Sequence, residues 1–300
     1  MDPLKELEGL DAGHQLAIVK KLGGRDNLWA VLRDEKTIII KDAIKVLFDK
    51  HGRRIPESLQ TNVCDANRNL RLDQPKLGEE VDFANRIMQL HGCLDIDTGI
   101  TAEQLKTETE RLLALIRDNS QVASIANGVW LPVILPQLTT DDLGTALEQY
   151  LEAVGNSYVK TFSDRKFYNH YKDTLANKIN IVDGSRHDQL IERMKQEPII
   201  GIHFPNPLQG FSINASREQM STLPEGFVLS GMDTPIAMAM YPDILARDYN
   251  TPGLDMAALS WQSTDCSLSL WAYNSLLDFD PTGYLANAYG LYSGGLLFLG

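Results

Sequence analysis

The last hundred residues, 201–300, have a composition that restricts the folds open to this chain. They contain no lysine, and only Arg217 and Arg247 oppose nine Asp and Glu side chains. Short apolar or alternating runs, bounded by Gly, Pro and Asn, recur at 199–204, 227–230, 254–261, 266–273 and 289–299. Runs of this length and spacing are typical of β-strands. In 266–273 serines alternate with leucines, which predicts an antiparallel strand with one buried face.

The chain before residue 197 has a helical pattern instead. Apolar residues recur at helical spacing in the segments 13–22, 26–33, 41–50, 78–90, 101–117, 140–154, 160–178 and 186–196. Thr101, followed three residues later by Gln104, predicts a capping box. We therefore expect an α+β fold in which an α-rich N-terminal region precedes a mixed, mainly antiparallel β-rich domain. The expected parts are a small helical module at 1–56, a helical region at 57–196 and the β-rich domain at 197–300.

Composition narrows the classes of protein to which the chain can belong. An apolar share of 43% and a charged share of 23% are ordinary for a globular protein. The first eight residues are acidic and lack the apolar segment of a signal peptide. No apolar run approaches the roughly 20 residues of a membrane helix, and three scattered cysteines suggest a reducing compartment. We expect a cytoplasmic protein that does not enter a membrane.

A local excess of positive charge lies near the N-terminus, although the whole chain has a net charge of −12. Residues 13–56 contain ten Lys or Arg and five Asp or Glu. One interpretation is non-specific nucleic-acid binding, and the residues that would carry it are Lys20, Lys21, Arg25, Arg53 and Arg54. The alternative is a solvated helical surface whose lysine stems cover apolar atoms. The basic residues form no single stripe, so nucleic acid is not the expected partner.

No segment carries a recognisable catalytic or cofactor motif. The sequence lacks a nucleophile elbow, a phosphate loop and a dinucleotide fingerprint. Asp95 and Asp97 could begin a calcium loop, but Gly99 and Lys106 stand where further ligands are required. Cys64, His91 and Cys93 lack paired zinc-ligand spacing. We predict no metal site and no cofactor.

His203 is the histidine with the strongest case for a catalytic role. It lies in a strand-like run, and Asp233 or Asp265 could approach it if the C-terminal sheet folds over this strand. A cleft around these residues would suit a hydrolase. The alternative is a core histidine that is hydrogen-bonded to a backbone carbonyl.

Aromatic residues mixed with Asp and Asn suggest a binding surface in the C-terminal domain. The strongest candidates are Trp261, Trp271 and Tyr273. The alternative is that these side chains fill the core, since large aromatics dominate protein cores. The leading hypothesis is a non-enzymatic protein that recognises another protein or a small-molecule ligand through this surface.

Three phrases near the C-terminus resemble a group of uncharacterised bacterial proteins. They lie at 223–231, 237–248 and 293–299, and the segment 22–27 bears a lesser resemblance to short uncharacterised bacterial proteins. The resemblance covers roughly the last quarter of the chain. It implies a bacterial, soluble protein and transfers no activity or site residue.

Overall fold

The structure, a computed structural model, describes residues 11–39, 44–57 and 61–300. Its contacts divide the chain into two compact units, Met1–Ile44 and Lys45–Gly300. Part of the helix predicted at 41–50 lies outside the described residues. From Ile44 to Lys50 the chain is not helical and contains an isolated antiparallel bridge between Phe48 and Arg54, so this part of the prediction is wrong. The Leu47 N–H donates to the Gln121 carbonyl and the Leu47 carbonyl accepts from the Ile55 N–H, so the backbone of this segment is hydrogen-bonded outside itself and not as a helix.

The first unit contains two short helices, α1 (Ala12–Lys21) and α2 (Arg25–Leu32). Asp11 caps α1 by accepting a hydrogen bond from the His14 N–H at 2.9 Å. Gly23 and Gly24 join the helices with φ values of +80° and +106°, which side chains disfavour. Both helices agree with the sequence pattern.

The second unit contains longer helices and all the strands of the described chain. Its helices are α3 (Glu80–Leu94), α4 (Ala102–Asp118), α5 (Leu143–Thr161), α6 (His187–Met194), α7 (Ile213–Gln219), α8 (Asp233–Met240) and α9 (Pro242–Leu245). Its strands are β1 (Leu131–Leu135), β2 (Lys166–Asn169), β3 (Ile179–Ile181), β4 (Ile199–Gln209), β5 (Phe227–Leu229), β6 (Gly253–Asp255), β7 (Leu259–Trp261), β8 (Ser267–Tyr273), β9 (Leu276–Thr282) and β10 (Tyr292–Phe298). The predicted helix at 160–178 is wrong beyond Thr161, because β2 and turns occupy that segment.

The capping box at the start of α4 is confirmed. Thr101 accepts a hydrogen bond from the Gln104 N–H at 3.2 Å, and the Gln104 side chain accepts one from the Thr101 N–H at 2.8 Å. These two bonds satisfy backbone donors that the helix itself leaves free.

One mixed sheet organises the second unit. Its strand order is β1-β4-β10-β6-β8-β9-β2, with β5 also pairing β10, while β3 and β7 form a separate pair. The β10–β6 and β2–β9 pairs are parallel and the other pairs are antiparallel. The predicted α+β class and mainly antiparallel sheet are therefore confirmed.

The hydrophobic core has two clusters that the alternation of the strands separates. Along β10, Leu297 belongs to the first cluster, whereas Leu296 and Phe298 belong to the second. The first cluster joins α3, α5 and α8 with β1 and with one face of β8 and β9. It contains residues from both sides of position 197, and the proposed three-part domain boundaries stay a prediction.

Strand β4 continues through Pro205 and Pro207 to Gln209, so its predicted end at residue 204 is wrong. Its partner β10 pairs Leu296 with Phe204 and Gly294 with Leu208, with a register shift between the two pairs. The prolines lie opposite this irregularity, where the regular ladder of hydrogen bonds is already interrupted. Proline is tolerated at such positions because it has no N–H to contribute.

Candidate functional site: an acidic–aromatic cavity

The hairpin of β8 and β9 separates apolar from polar side chains by simple alternation. Leu268, Leu270, Leu277 and Phe279 lie in the first core cluster. Successive side chains of a strand point to opposite faces. The intervening residues, which include Ser269, Trp271, Asp278 and Asp280, are therefore directed away from that core. The antiparallel pairing predicted for 266–273 is confirmed, but Ser267 and Ser269 on the outer face are themselves buried, so the prediction of a half-buried strand is wrong at these positions.

Strand register places polar and aromatic side chains in two adjacent rows across this outer face. In one row Asp255 pairs with Ser269, and Ser269 pairs with Asp280. In the next row Trp271 pairs with Asp278. Neighbouring strands lie about 4.8 Å apart, so Asp255 and Asp280 are separated by roughly 10 Å at the backbone.

Gly253 allows an aromatic ring to lie directly on this face. A Cβ atom at Gly253 would lie 2.6 Å from two ring atoms of Tyr292, its partner on β10. The Tyr292 ring centroid is 5.5 Å from that of Trp271, with the rings inclined by 53°. The missing side chain thus makes room for a pair of aromatic rings.

A cavity of ≈ 500 Å³ opens on this outer face, and we call it the acidic–aromatic cavity. Carboxylates, aromatic rings and a few apolar or amide side chains share its wall. The lining residues are Phe211, Ile213, Asp255, Ser269, Trp271, Asp278, Asp280, Pro281, Thr282, Gly283, Tyr284, Asn287, Tyr289, Leu291 and Tyr292. No Lys, Arg or His is among them, and the volume lies within the usual range of small-molecule sites.

Asp255 is the most unusual residue in the cavity wall. Its relative exposure is only 6%, and within the described part of the chain its carboxyl group makes no hydrogen bond or ion pair. Burial raises its pKa to about 7. A buried polar group without a partner is uncommon in native structures and calls for a physical explanation.

The other acidic groups of the cavity influence one another. Partial burial raises the pKa of Asp280, and the charge of nearby Asp278 raises it further. Burial and the negative charges of Asp255, Asp280 and Asp278 raise the pKa of Tyr292 to about 12. His170 Nε2 lies 3.2 Å from Asp278 Oδ1, and His170 opposes part of the rise in the pKa of Asp280. The cavity is therefore a region of negative potential.

The structure separates the three predicted ligand-binding residues. Trp271 lines the cavity. Tyr273 packs against Trp271, with 5.3 Å between ring centroids, and is 48% exposed without lining the cavity. Trp261 lies elsewhere, in β7, where it packs edge-on against Tyr171 and contacts the first core cluster.

The predicted catalytic residues His203 and Asp233 do meet, but inside the protein. His203 Nδ1 lies 2.8 Å from Asp233 Oδ2, and the two side chains have exposures of 1% and 0%. Asp233 also accepts hydrogen bonds from the Ser230 hydroxyl at 2.8 Å and the Gly231 N–H at 2.7 Å. Burial alone raises the pKa of Asp233, but these hydrogen bonds and the nearby histidines together hold it below its usual value.

His187 completes this buried polar cluster, which comprises His187, His203, Ser230, Gly231 and Asp233. Its Nε2 accepts a hydrogen bond from the Met232 N–H at 3.1 Å, and its Nδ1 faces the Leu229 carbonyl at 3.1 Å. Burial lowers the pKa of His187, so the neutral ring is favoured. The cluster joins β4, β5, α6 and α8 and leaves no side chain open to solvent.

Asp265 is exposed in the turn before β8, apart from this cluster. The acidic–aromatic cavity contains none of His203, Asp233 and Asp265. A catalytic role for these residues stays a prediction. Because the His203 and Asp233 side chains are buried, a substrate in solvent could not reach them in this structure.

Sequence reasoning missed Asp255, Asp278 and Asp280. A signal for the last two was present, because the segment Leu277-Asp-Phe-Asp280 alternates as Ser267–Leu270 does. Pro281 and the two aspartates lowered the strand propensity of this segment. Nothing in the sequence around Asp255 distinguishes it, since its position depends on pairing with β8 and β10.

The described residues contain no group of three or more His, Cys, Asp or Glu side chains that could hold a metal ion. Cys64, Cys93 and Cys266 are free thiols. Arg54 is not available for the nucleic-acid surface considered above, because it is 3% exposed. Its guanidinium donates hydrogen bonds to the Leu47 and Ile55 carbonyls and to Thr222 Oγ1.

Within the described ranges, no helix combines the length and apolar character needed to cross a membrane. Comparisons of the chain with protein-family models, curated proteins and solved structures gave no match.

Proposed function

We propose that this protein binds a small molecule in the acidic–aromatic cavity. The observation that carries the proposal is the Asp255 carboxyl group, which is buried, unpartnered and directed at a cavity of ≈ 500 Å³. Burying a polar group without a compensating hydrogen bond costs about 1–3 kcal/mol. A ligand that bonds to Asp255 would offset this penalty when it binds.

The composition of the wall also supports a ligand site. Trp271 and Tyr292 provide flat apolar surface, while Asp278, Asp280 and Asn287 provide convergent polar groups. Mostly hydrophobic and aromatic walls with a few placed polar groups are characteristic of small-molecule sites. Of the three ligand-binding residues predicted from the sequence, Trp271 is the one that lines this cavity.

A thermal-shift screen tests the proposal. The purified protein would be heated with a panel of amines, sugars, amino acids and nucleotides, because a ligand at 100 times its Kd adds about 2.7 kcal/mol of stability. We expect at least one compound to raise the Tm of the wild-type protein. Trp271→Ala should weaken its binding by about tenfold, since an aromatic contact contributes about 1 kcal/mol beyond its buried area.

Matched controls lie outside the cavity. Tyr249→Ala removes an aromatic side chain that is 64% exposed, and Asp265→Asn neutralises an exposed carboxylate close to the β8–β9 hairpin. Both should bind as the wild type does. A panel that stabilises nothing, or ligands whose affinity is the same in Trp271→Ala, would overturn the proposal.

A second candidate function is general acid catalysis by Asp255. The observation that favours it is the pKa of about 7, which leaves much of Asp255 protonated near neutral pH. Inverting glycosidases place a second carboxyl group across the site from the acid, and Asp280 lies in the same row as Asp255, on the other side of Ser269. Hydrolysis of neutral disaccharides, whose alkoxide leaving group must be protonated, should be lost in Asp255→Asn if this function is correct. Equal rates in both proteins would exclude it.

A further inference from the structure

We infer that the ligand of the acidic–aromatic cavity is an organic amine, and that a diamine or longer polyamine fits it better than a monoamine. The inference rests on the proposed function and concerns the chemical class of the ligand. Three independent features of the cavity lead to it: its charge, its aromatic surface and the spacing of its carboxylates.

The charge of the wall favours a cation. Asp255, Asp278 and Asp280 line the cavity, and no lysine, arginine or histidine lines it with them. His170 is a basic neighbour of both Asp278 and Asp280, whereas no basic group in the described ranges acts on Asp255. These carboxylates would repel an anion. An ammonium group would instead donate a hydrogen bond to the Asp255 carboxylate, which has no partner within the part of the protein that the structure describes.

The aromatic rings distinguish an organic cation from a metal ion. Trp271, Tyr292, Tyr284 and Tyr289 all line the cavity. The faces of such rings attract ammonium groups, and methylene groups between two ammonium groups can pack on them. A metal ion would use neither property.

The spacing of the carboxylates points to more than one positive group. Asp255 and Asp280 lie on either side of Ser269, roughly 10 Å apart at the backbone. A single inorganic cation cannot contact both, and no described group of acidic residues converges on one point. An elongated molecule with an ammonium group at each end can pair with both carboxylates across Ser269, beside the row that holds Trp271.

Calorimetric titration with defined probes tests the inference. The probes would be 1,4-diaminobutane, spermidine, butylamine, the neutral 1,4-butanediol and a neutral disaccharide. We expect the two polyamines to bind, the monoamine to bind about tenfold less tightly, and the diol to show no binding, because a hydrogen bond to a charged group is worth about ten- to hundredfold in affinity. Polyamine affinity should also fall as salt concentration rises.

Variants then locate the binding. Asp255→Asn and Asp280→Asn should each weaken polyamine binding by about tenfold or more, whereas the exposed Asp265→Asn should leave it unchanged. Asparagine preserves the size of the side chain, so folding is retained, and Tm measurements without ligand confirm this.

The possible outcomes distinguish failure of the amine inference from failure of the proposal that the cavity binds a small molecule. If the disaccharide binds with dependence on Trp271 while the amines do not, the cavity is a binding site and the inference of a cationic ligand is wrong. If amines bind equally well to wild type, Asp255→Asn and Asp280→Asn, they bind elsewhere and the inference is wrong. If no probe or panel compound binds, both fail.

Discussion

The buried polar cluster and the acidic–aromatic cavity each contain a buried aspartate on the same sheet, and they differ in whether that carboxylate has hydrogen-bond donors. Asp233 is fully buried and accepts hydrogen bonds from His203, Ser230 and Gly231. Asp255 is almost as buried, lacks such partners and faces open space. The pKa values follow the partners, because that of Asp233 is lowered and that of Asp255 is raised.

A histidine–carboxylate pair is therefore not by itself a sign of a reaction site. A closed network fixes the positions of strands and helices, since breaking it leaves uncompensated polar groups. An open and unsatisfied carboxylate destabilises the folded protein, and proteins retain such features mainly at functional sites. The comparison therefore supports a structural role for the closed cluster and agrees with the binding proposed for the cavity.

The largest expected effect is the loss of stability on breaking the closed cluster. Asp233→Ala removes the acceptor shared by His203, Ser230 and Gly231, and loss of one partner from a buried charged network costs about 3–5 kcal/mol. Urea unfolding followed by circular dichroism measures this change. The exposed Asp265→Ala should alter stability by no more than about 0.5 kcal/mol. Similar midpoints for both variants would remove the distinction between the two regions.

Asp255→Asn should have the opposite sign and should stabilise the protein at high pH. The folded pKa of about 7 lies above the usual value of 3.8, so between these values only the unfolded state releases the proton. Wild-type stability therefore falls relative to the variant as pH rises from 4 to 7, by up to about 4 kcal/mol, and changes no further above that range.

Urea unfolding of Asp255→Asn and wild type at pH 4, 5.5, 7 and 8 checks this difference. The titratable groups facing Asp255 from other elements are Tyr292, Tyr289, Tyr284, Asp278 and Asp280, with His170 behind Asp278. These groups are present in both proteins, so to first order their contributions to the pH dependence of stability cancel when the variant is compared with the wild type. A difference that is constant with pH would mean that Asp255 is already satisfied.

One glycine-to-alanine substitution in each region tests how well the closed cluster and the cavity tolerate an added methyl group. A Cβ at Gly295 would lie 2.7 Å from Ser230 Oγ and 3.1 Å from His203 Cε1, inside the closed cluster. Gly295→Ala should cost about 1–3 kcal/mol. Gly253→Ala should cost less, because the Tyr292 ring that it meets borders the cavity and can rotate away. Chemical denaturation of the two variants measures both costs. A larger loss of stability in Gly253→Ala than in Gly295→Ala would contradict the expectation that the Tyr292 ring can rotate into the cavity.

The smallest expected effect concerns His187 in acid. In the unfolded chain a histidine takes up a proton near pH 6.5, whereas burial lowers the pKa of His187 in the folded protein. The unfolded state then binds more protons, so stability falls as pH drops below 6.5, by at most about 1.4 kcal/mol per pH unit. The charged groups near it are Asp233 and Asp188. His187→Gln should remove this part of the slope, measured by unfolding at pH 5 and 7.

Features that depend on near neighbours in the chain could be predicted from the amino-acid sequence. The α+β class follows from helical spacing before residue 197 and alternation after it, and the Thr101–Gln104 capping box follows from the local preference of helix ends. The alternation in 266–273 correctly predicted that one face of β8 is buried. Trp271 was identified as a ligand-binding candidate for a related reason, since aromatic residues clustered there.

Tertiary structure decided everything that depends on partners distant in the chain. Whether Pro205 ended a strand depended on an irregularity in β10, about ninety residues away. The two candidate tryptophans, Trp261 and Trp271, look alike in sequence, but different strand pairings place only Trp271 in the cavity. Asp255 acquires its burial and raised pKa from strands that follow it in the chain. Burial and hydrogen bonding arise only when the sheet is assembled. They make the difference between Asp233, whose carboxylate is hydrogen-bonded inside the protein, and Asp255, whose carboxyl group has no partner among the described residues and lines the cavity.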